Sequence, residues 1–387
     1  MALPLKYNIR NILVRWRSTL TTVLGVAMVV AVYMVIQAMA VGLEKSSAST
    51  GDPRNLLIVR KGATAESSSV IGREQLKLLQ YAPEIAHNSE DKPLISADSL
   101  VLINLPRKGQ AGEANVLLRG VSPRGLELRP QVKLTAGRWF VPGKREVVVS
   151  KRLSARFANF DIGQSFKSGP TTLTVVGLFD AGTSAFDSEL WLDADECLAM
   201  FDRESYSSLL VRLVNDQSRE SLVKRIEGDK QLQLRVFGEV EYYKEQTRTA
   251  TPIRWLGNFL AVAMSIGAVF AAMNTMYASI AARTREVGTL RVLGFHRRTI
   301  VFCFLVEGAF LSLIGGIIGV AVSLKMNGYA AGTMGFESFS ETVFQFTITP
   351  VLMLKGLLFS VMVGLFGSLL PALRASRIPV ISALKTL

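Results

Sequence analysis

Residues 255–282 read WLGNFLAVAMSIGAVFAAMNTMYASIAA, a run of 28 residues without one charged side chain. A helix rises 1.5 Å per residue, so this run would form a helix about 42 Å long. The hydrocarbon core of a bilayer is about 30 Å thick, and about 20 apolar residues cross it. The run therefore predicts a membrane-spanning helix that continues beyond the bilayer as a rigid stalk.

Three other apolar windows meet the same length criterion. Residues 18–43 and 356–373 carry no charge, whereas residues 299–324 carry one carboxylate, Glu307. The whole chain is 49% hydrophobic and 19% charged, and its mean hydropathy is +0.31, which is unusual for a soluble protein. The last window can be extended back to Pro350. The sequence thus predicts four transmembrane helices, at 18–43, 251–282, 299–324 and 350–373.

The first window shares two features with a signal peptide. Basic residues precede it, and Ala38-Met39-Ala40 has the small-x-small spacing of a cleavage site. Its charge-free run of 26 residues is much longer than the apolar core of a signal peptide, which is typically 7–15 residues. We therefore expect a retained helix rather than a cleaved leader.

Positive charge is concentrated in three segments beside the predicted helices. The segment before the first helix contributes +4, the loop at 283–298 contributes +4, and the tail at 374–387 contributes +3 to a formal net charge of +13. Lysine and arginine accumulate on the cytoplasmic side of membrane proteins, so all three segments are expected inside. The connections at 44–250 and 325–349 are then outside. Because topology explains the basic composition, nucleic-acid binding is not expected.

The outside segment at 44–250 has the pattern of an α+β domain. Two similar parts, at about 51–106 and 201–245, each place apolar strand runs on both sides of a short stretch with helical spacing, which is typical of a βαβ unit. In the second part the last strand is expected over 231–243. Residues 107–200, which lie between the two parts, are rich in glycine and short strand patterns, and we interpret them as an inserted β-rich lobe.

Sequence patterns of enzymes and metal proteins are missing from this chain. Its Gly143-Lys144 pair lacks the upstream glycine of a P-loop, and there is no G-x-S-x-G motif. The two histidines fall on opposite sides of the predicted membrane. Five carboxylates in residues 187–196 suggest a cation site, but they lack the EF-hand spacing, so we interpret them as solvated or helix-start charges. We expect no enzymatic activity, no bound metal and no cofactor in this chain.

The segment AARTREVGTLRVLGFHRRTI, residues 281–300, joins the second and third predicted helices. Residues 284–293 favour a short helix, and Gly294 stands where a left-handed residue would end it. Topology alone requires basic residues in any order, whereas this segment is regularly amphipathic. A short amphipathic helix on the cytoplasmic side is suited to docking into a groove on another protein.

Small residues follow Glu307 at spacings of three and four. This pattern predicts close helix packing, within one subunit or across a dimer. For Glu307 itself, pairing with an arginine or with a helix N-terminus is favoured over a role in proton relay. The predicted packing residues are Glu307, Gly308, Ser312, Gly315, Gly316 and Gly319.

Three stretches resemble the MacB/FtsX-type permeases of ABC transporters, the type VII or mechanotransmission family. ARTREVGTLRVLGFHRRTIVFCFLVEGAFLSLIGGIIG (282–319) is similar to the family signature, and PALRASRIPVISALK (371–385) to its C-terminal ending. REVVVSKRLSARFANFDIGQSFKSGPTTLTVVGLF (145–179) is similar to its periplasmic core segment. The resemblance implies a bacterial inner-membrane permease with a large periplasmic domain, functioning as a dimer.

The resemblance also implies that the loop between helices 2 and 3 is a coupling helix received by an ATPase. Only about 17 residues precede helix 1, enough for one amphipathic cytoplasmic helix, so the ATPase, with its ATP and Mg²⁺, is expected on a separate subunit. The residues that this assigns to ATPase coupling are Arg283, Arg285, Glu286, Gly288, Leu290, Arg291, Leu293 and Gly294.

Three functions are compatible with this resemblance. The first is MacB-like efflux of periplasmic or membrane-derived cargo, with a periplasmic membrane fusion protein and an outer-membrane channel as partners. The second is lipoprotein release of the LolC/LolE kind, and the third is FtsX-like activation of cell-wall hydrolases. The inserted lobe at 107–200 favours the first two.

Overall fold

The computed structural model describes residues 16–109, 112–246, 250–334 and 341–378. Residues 1–15 of the expected amphipathic helix at 1–17 and residues 379–387 of the tail at 374–387 lie outside these residues. The chain forms two compact units. One is a helical unit of residues up to 41, 251–329 and 346 onward, and the other is an α+β unit of residues 42–250 and 330–345.

Eleven α-helices are found in the described part of the chain. They are α1 (Trp16–Ala48), α2 (Arg73–Leu79), α3 (Gly125–Leu128), α4 (Lys151–Arg156), α5 (Ala194–Met200), α6 (Ser218–Gly228), α7 (Glu239–Gln246), α8 (Ala250–Ala281), α9 (Thr284–Val292), α10 (Arg297–Leu324) and α11 (Pro350–Ser376). Two 3₁₀ helices are Glu66–Ser68 and Ala185–Ser188.

Twelve strands are found in the same residues. They are β1 (Asn55–Arg60), β2 (Ile95–Pro106), β3 (Glu113–Val121), β4 (Lys133–Gly137), β5 (Glu146–Ser150), β6 (Ser165–Ser168), β7 (Thr171–Asp180), β8 (Glu189–Asp193), β9 (Ser208–Arg212), β10 (Leu234–Gly238), β11 (Ala330–Met334) and β12 (Glu341–Gln345).

Four helices of the described chain, α1, α8, α10 and α11, are long and apolar enough to cross a membrane. Two hydrogen bonds join α1 to α8: Thr22 Oγ1 donates to Thr275 Oγ1 at 2.7 Å, and Gln37 Nε2 donates to Asn258 Oδ1 at 2.7 Å. Helix α1 has 33 residues and α8 has 32, so each is close to 50 Å long. Both are therefore longer than a bilayer core requires.

Most strands of the α+β unit belong to one mixed sheet. Its order is β10-β1-β9-β2-β3-β8-β5-β7-β4, and β6 pairs with β7. The expected βαβ parts are present, but they interlock. Strand β9 lies between β1 and β2 and is antiparallel to both, and β1 lies in the same way between β9 and β10. Each part is thus a split βαβ unit whose two parallel strands are separated by a strand of the other part.

The predicted β-rich lobe is an extension of this sheet rather than a separate insertion. Strand β2 has 12 residues; its first part pairs with β9 and its second part with β3, so it carries the sheet from the interlocked parts into the lobe. Side chains of β1 alternate between two apolar clusters, with Leu56 and Ile58 in one and Leu57 and Val59 in the other. The sheet is therefore buried on both faces.

Two expectations about local structure were wrong. Residues 231–243 form a short strand, β10, followed by helix α7, because Glu239, Tyr242 and Tyr243 are buried at helical spacing rather than at alternate positions. The connection at 325–349, expected to be a loop, contains the antiparallel hairpin β11–β12. Val343 of this hairpin is 1% exposed because it packs into the core of the lobe.

Candidate coupling site

The candidate coupling helix α9 begins three residues after α8 and ends in a Schellman motif. The Phe295 N–H donates to the Leu290 carbonyl at 3.1 Å, and the Gly294 N–H donates to the Arg291 carbonyl at 3.2 Å. Gly294 has φ +87°, a left-handed conformation that glycine adopts without a Cβ clash. The turn leads to His296, the N-cap of α10, so the segment expected at 283–298 is a helix, a tight turn and the start of α10.

One side of α9 is anchored to the helical unit. Val287 is buried in an apolar cluster formed by α8, α10 and α11, whose other members are Met276, Ile280, Ile300, Phe304, Ala372 and Ala375. Gly288 is buried beside it. Arg283 precedes the helix, and its Nη1 lies 3.1 Å from Glu307 Oε2 on α10. Both side chains of this ion pair are less than 10% exposed. Helix α9 is therefore packed against three of the long helices and held to one of them by an ion pair.

The buried positions change the predicted docking face. Arg283 and Gly288, which were assigned to ATPase coupling, are buried within the subunit and so do not belong to the exposed face of this segment. Leu290 and Arg291 are half-buried. The exposed face consists of Arg285, Glu286, Thr289, Val292, Leu293 and Gly294.

Two exposed apolar side chains stand at the C-terminal end of α9. Val292 is 61% exposed and Leu293 is 69% exposed. They lie next to the turn at Gly294, and the basic side chain of Arg285 lies on the exposed face about two turns earlier. An apolar tip beside basic residues provides an anchor that can be buried in a groove of a partner, with a charged rim around it.

The small residues of α10 form two rows that contact different helices. Gly308, Ser312 and Gly316 face α11, where Ser360, Gly364 and Ser368 repeat the same four-residue spacing. Gly315 and Gly319 face α1: a Cβ atom on Gly315 would lie 2.8 Å from the Val23 carbonyl oxygen, and one on Gly319 would lie 2.6 Å from the Ala27 carbonyl oxygen. These residues are placed where larger side chains would separate the helices.

The α+β unit contains a buried charge network that was not predicted from the sequence. Arg119 on β3 is 1% exposed, and its guanidinium lies 2.7 Å from Glu189, 3.1 Å from Glu66 and 3.2 Å from Asp98. Arg129, also buried, pairs with Asp98. The sequence contained one indication of this network, the arginine in the apolar run NVLLRGV, because a charged residue in a buried strand requires partners.

Three carboxylates of the acidic stretch at 187–196 have structural partners or buried positions in the α+β unit. Glu189 pairs with Arg119, Asp187 is 1% exposed, and Asp193 caps α5 by accepting the Glu196 N–H at 3.1 Å. No cluster of metal-ligating side chains is found among the described residues. The helix-start interpretation therefore holds for Asp193, and the solvated interpretation was wrong for Asp187 and Glu189.

Two family models match the chain. Residues 258–380 match the FtsX-like permease C-terminal model, and residues 18–229 match the MacB-like periplasmic core domain. Together with the four long apolar helices, these matches define a multi-pass membrane permease. The chain belongs to the MacB/FtsX-type ABC transporter permeases.

Several known proteins are similar to this chain. The macrolide export ATP-binding/permease protein MacB of Pasteurella multocida (strain Pm70) is 24% identical over 317 residues, which are 75% of this chain and 46% of that protein. The uncharacterized ABC transporter permease YknZ of Bacillus subtilis (strain 168) is 30% identical over 137 residues, 35% of this chain and 32% of that protein. The chain thus spans less than half the length of these relatives.

One solved structure is also similar to part of the chain. The periplasmic region of MacB from Actinobacillus actinomycetemcomitans has 17% sequence identity and a TM-score of 0.37; the match covers 49% of this chain and 91% of that one.

Proposed function

We propose that this chain is the permease subunit of an ABC transporter in which ATP hydrolysis by a separate subunit moves the α+β unit. In this proposal the ATPase, with its ATP and Mg²⁺, docks on α9 in the cytoplasm, and the α+β unit lies in the periplasm of a bacterial inner membrane. The cargo is periplasmic or membrane-derived and is exported by the movement of the α+β unit. The name of the relative from Pasteurella multocida, a macrolide exporter, favours efflux over the other two functions of the family.

The observation that carries this proposal is the two-sided character of α9. Its inner side is fixed by Val287 and by the Arg283–Glu307 pair, whereas its outer tip presents Val292 and Leu293. Exposed apolar side chains on a short, firmly held helix suit the reception of force from a partner. A flexible basic loop would satisfy the charge rule for topology but would not transmit displacement.

Helix lengths support transmission through the helices. The chain continues from α9 backward into α8, of 32 residues, and forward into α10, of 28 residues. Helices of this length act as rigid rods of about 40–50 Å. Within the spans, Glu307 is occupied by its pairing with Arg283, which supports a structural role over a place in a proton pathway.

The proposed partners follow from the same reasoning. We expect two permease copies in the complex, since the long helices carry exposed apolar faces that can contact a second copy or lipid. A membrane fusion protein and an outer-membrane channel complete the efflux assembly. Copurification of a lipoprotein chaperone or of a cell-wall hydrolase instead would assign the chain to the lipoprotein-releasing or the FtsX-like function.

Copurification of the ATPase tests the docking site. Burying a leucine side chain contributes about 1.5–3 kcal/mol, so replacing Leu293 by Asp should weaken ATPase binding at least about tenfold. Val292→Asp should have a similar effect. Arg297→Gln, at an exposed position in the first turn of α10, is the matched control and should retain the ATPase. Full retention by Leu293→Asp with loss in Arg297→Gln would refute the docking face.

A further inference from the structure

A short segment of the α+β unit, residues 183–188, contacts the points where the long helices join that unit. It contains the 3₁₀ helix Ala185–Ser188 and connects β7 to β8. We propose that residues 183–188, which we name the junction, receive the displacement of all four long helices and pass it to the sheet. The inference rests on the proposed function and names the residues through which it operates.

The end of α1 is bonded to the junction. The Ala185 N–H donates to Thr50 Oγ1 at 2.8 Å, and the hydroxyl groups of Ser49 and Thr183 lie 3.3 Å apart. The Thr50 carbonyl also accepts from Gln131 Nε2 at 2.7 Å. The residues that leave α1 are thus held by directed hydrogen bonds.

The helix that precedes α8 packs on the junction as well. The ring of Phe186 lies edge-on to the ring of Tyr243 on α7, with centroids 5.7 Å apart. Phe186 is fully buried and also contacts Trp191 and the guanidinium groups of Arg119 and Arg129. Side chains in such an environment cannot shift independently, so movement of α7 displaces the junction.

The hairpin β11–β12, which connects α10 to α11, makes the third contact. The Val343 N–H donates to Ser188 Oγ at 2.7 Å. The same strand carries Glu341, 5% exposed, which accepts from Arg107 Nη2 at 2.6 Å and pairs with Arg156 on α4. The hairpin is therefore fixed to the lobe at two neighbouring points, by Ser188 and by Glu341.

Two paths along the chain lead from the coupling helix α9 to the junction. From α9 the chain reaches the junction through α8 and α7, and it also reaches it through α10 and the hairpin. The residues closing the second route, Ser188 and Glu341, act as positioning residues. Removing their contacts should leave the sheet and the ATPase-docking face intact. Movement of α10 and the hairpin would then no longer displace the junction.

The test measures movement in the full chain bound to its copurifying ATPase in lipid nanodiscs. Spin labels at exposed Lys167 in the lobe and exposed Lys355 in α11, in a chain without native cysteines, report a distance with and without ATP, Mg²⁺ and vanadate. We expect the double variant Ser188→Ala/Glu341→Gln to keep ATPase binding and the nucleotide-free distance, and to lose more than about half of the nucleotide-dependent shift.

The matched control is Ser221→Ala/Glu84→Gln. It likewise removes a serine hydroxyl and a buried carboxylate paired with an arginine, here Arg225, but away from the junction. The control should keep the full shift. Glu341→Asp should recover part of the shift that Glu341→Gln loses, because it restores the negative charge. If the double variant fails to fold, Ser188→Ala and Thr50→Val are measured singly.

The possible outcomes distinguish failure of the proposed function from failure of the junction proposal. A parent chain without any nucleotide-dependent shift overturns the proposed function. A parent that shifts, together with a junction variant that shifts equally, overturns the junction alone. An equal loss in the junction variant and in the control also overturns it, because the effect would then reflect general destabilisation.

Discussion

The buried ion pair between Arg283 and Glu307 gives the sharpest prediction about how α9 is held. The two side chains are 8% and 5% exposed, and the guanidinium Nη1 lies 3.1 Å from the carboxylate Oε2. Removing one partner of such a pair leaves a buried charge and costs about 3–5 kcal/mol, whereas replacing both by apolar side chains of similar volume is often close to neutral. The cost should therefore depend on whether one partner is removed or both are replaced.

Glu307→Gln should cost the full amount, because the guanidinium remains charged at any accessible pH. The double variant Arg283→Met/Glu307→Leu should recover most of the stability lost by Glu307→Gln. The quantity to measure is the free energy of unfolding of the full chain in nanodiscs or mild detergent.

The same variants also separate stability from coupling. We expect Arg283→Met/Glu307→Leu to fold but to hold the start of α9 less firmly, so that ATPase binding persists while coupled movement decreases. If Glu307→Gln and the double variant lose equal stability, the ion pair is not what sets the cost. The argument that a charge pair anchors α9 would then fail.

Three further predictions concern chemistry, topology and pH. The purified chain should hydrolyse ATP no faster than the background, because its sequence contains no P-loop; robust hydrolysis would refute a separate ATPase. In an otherwise cysteine-free chain in spheroplasts, a cysteine at Gln217 should react with an impermeant maleimide and one at His296 should not; the reverse would invert the topology. Burial raises the pKa of Asp187 to about 6 even though Arg152 opposes the shift, so this group's contribution to stability is present below about pH 4 and lost as the pH rises through 6. The free energy of unfolding of Asp187→Asn, relative to that of the parent, should accordingly rise by on the order of 2 kcal/mol between pH 4 and pH 7. A difference between variant and parent that stays the same over this pH range would refute the assignment.

The features that the sequence predicted well are those set by local pattern. Charge-free runs identify the long helices because a bilayer imposes length and composition directly. Gly294 identifies the end of α9 because few other residues adopt its backbone conformation. The spacing of Gly308, Ser312 and Gly316 identifies a packing row, since residues four apart share one face of a helix.

The features that it missed depend on contacts between distant residues. The insertion of β9 between β1 and β2 joins segments more than 100 residues apart, and neither strand's pattern specifies its neighbour. Burial of Arg283 similarly depends on Glu307 on another helix, so exposure along α9 could not be read from its own periodicity. The hairpin β11–β12 was missed because β11, with the sequence AAGTM, consists largely of alanine and glycine, which are depleted in strands.

The central claim is that ATP hydrolysis moves the α+β unit through α9, and one comparison tests it most directly. In proteoliposomes that contain both subunits, spin labels at Lys167 and Lys355 should change their separation when ATP, Mg²⁺ and vanadate are added. With Leu293→Asp in the same chain, and with the same amount of ATPase, that change should largely disappear because less ATPase is docked. A separation that stays constant in the parent, or one that changes equally in Leu293→Asp, would contradict the account.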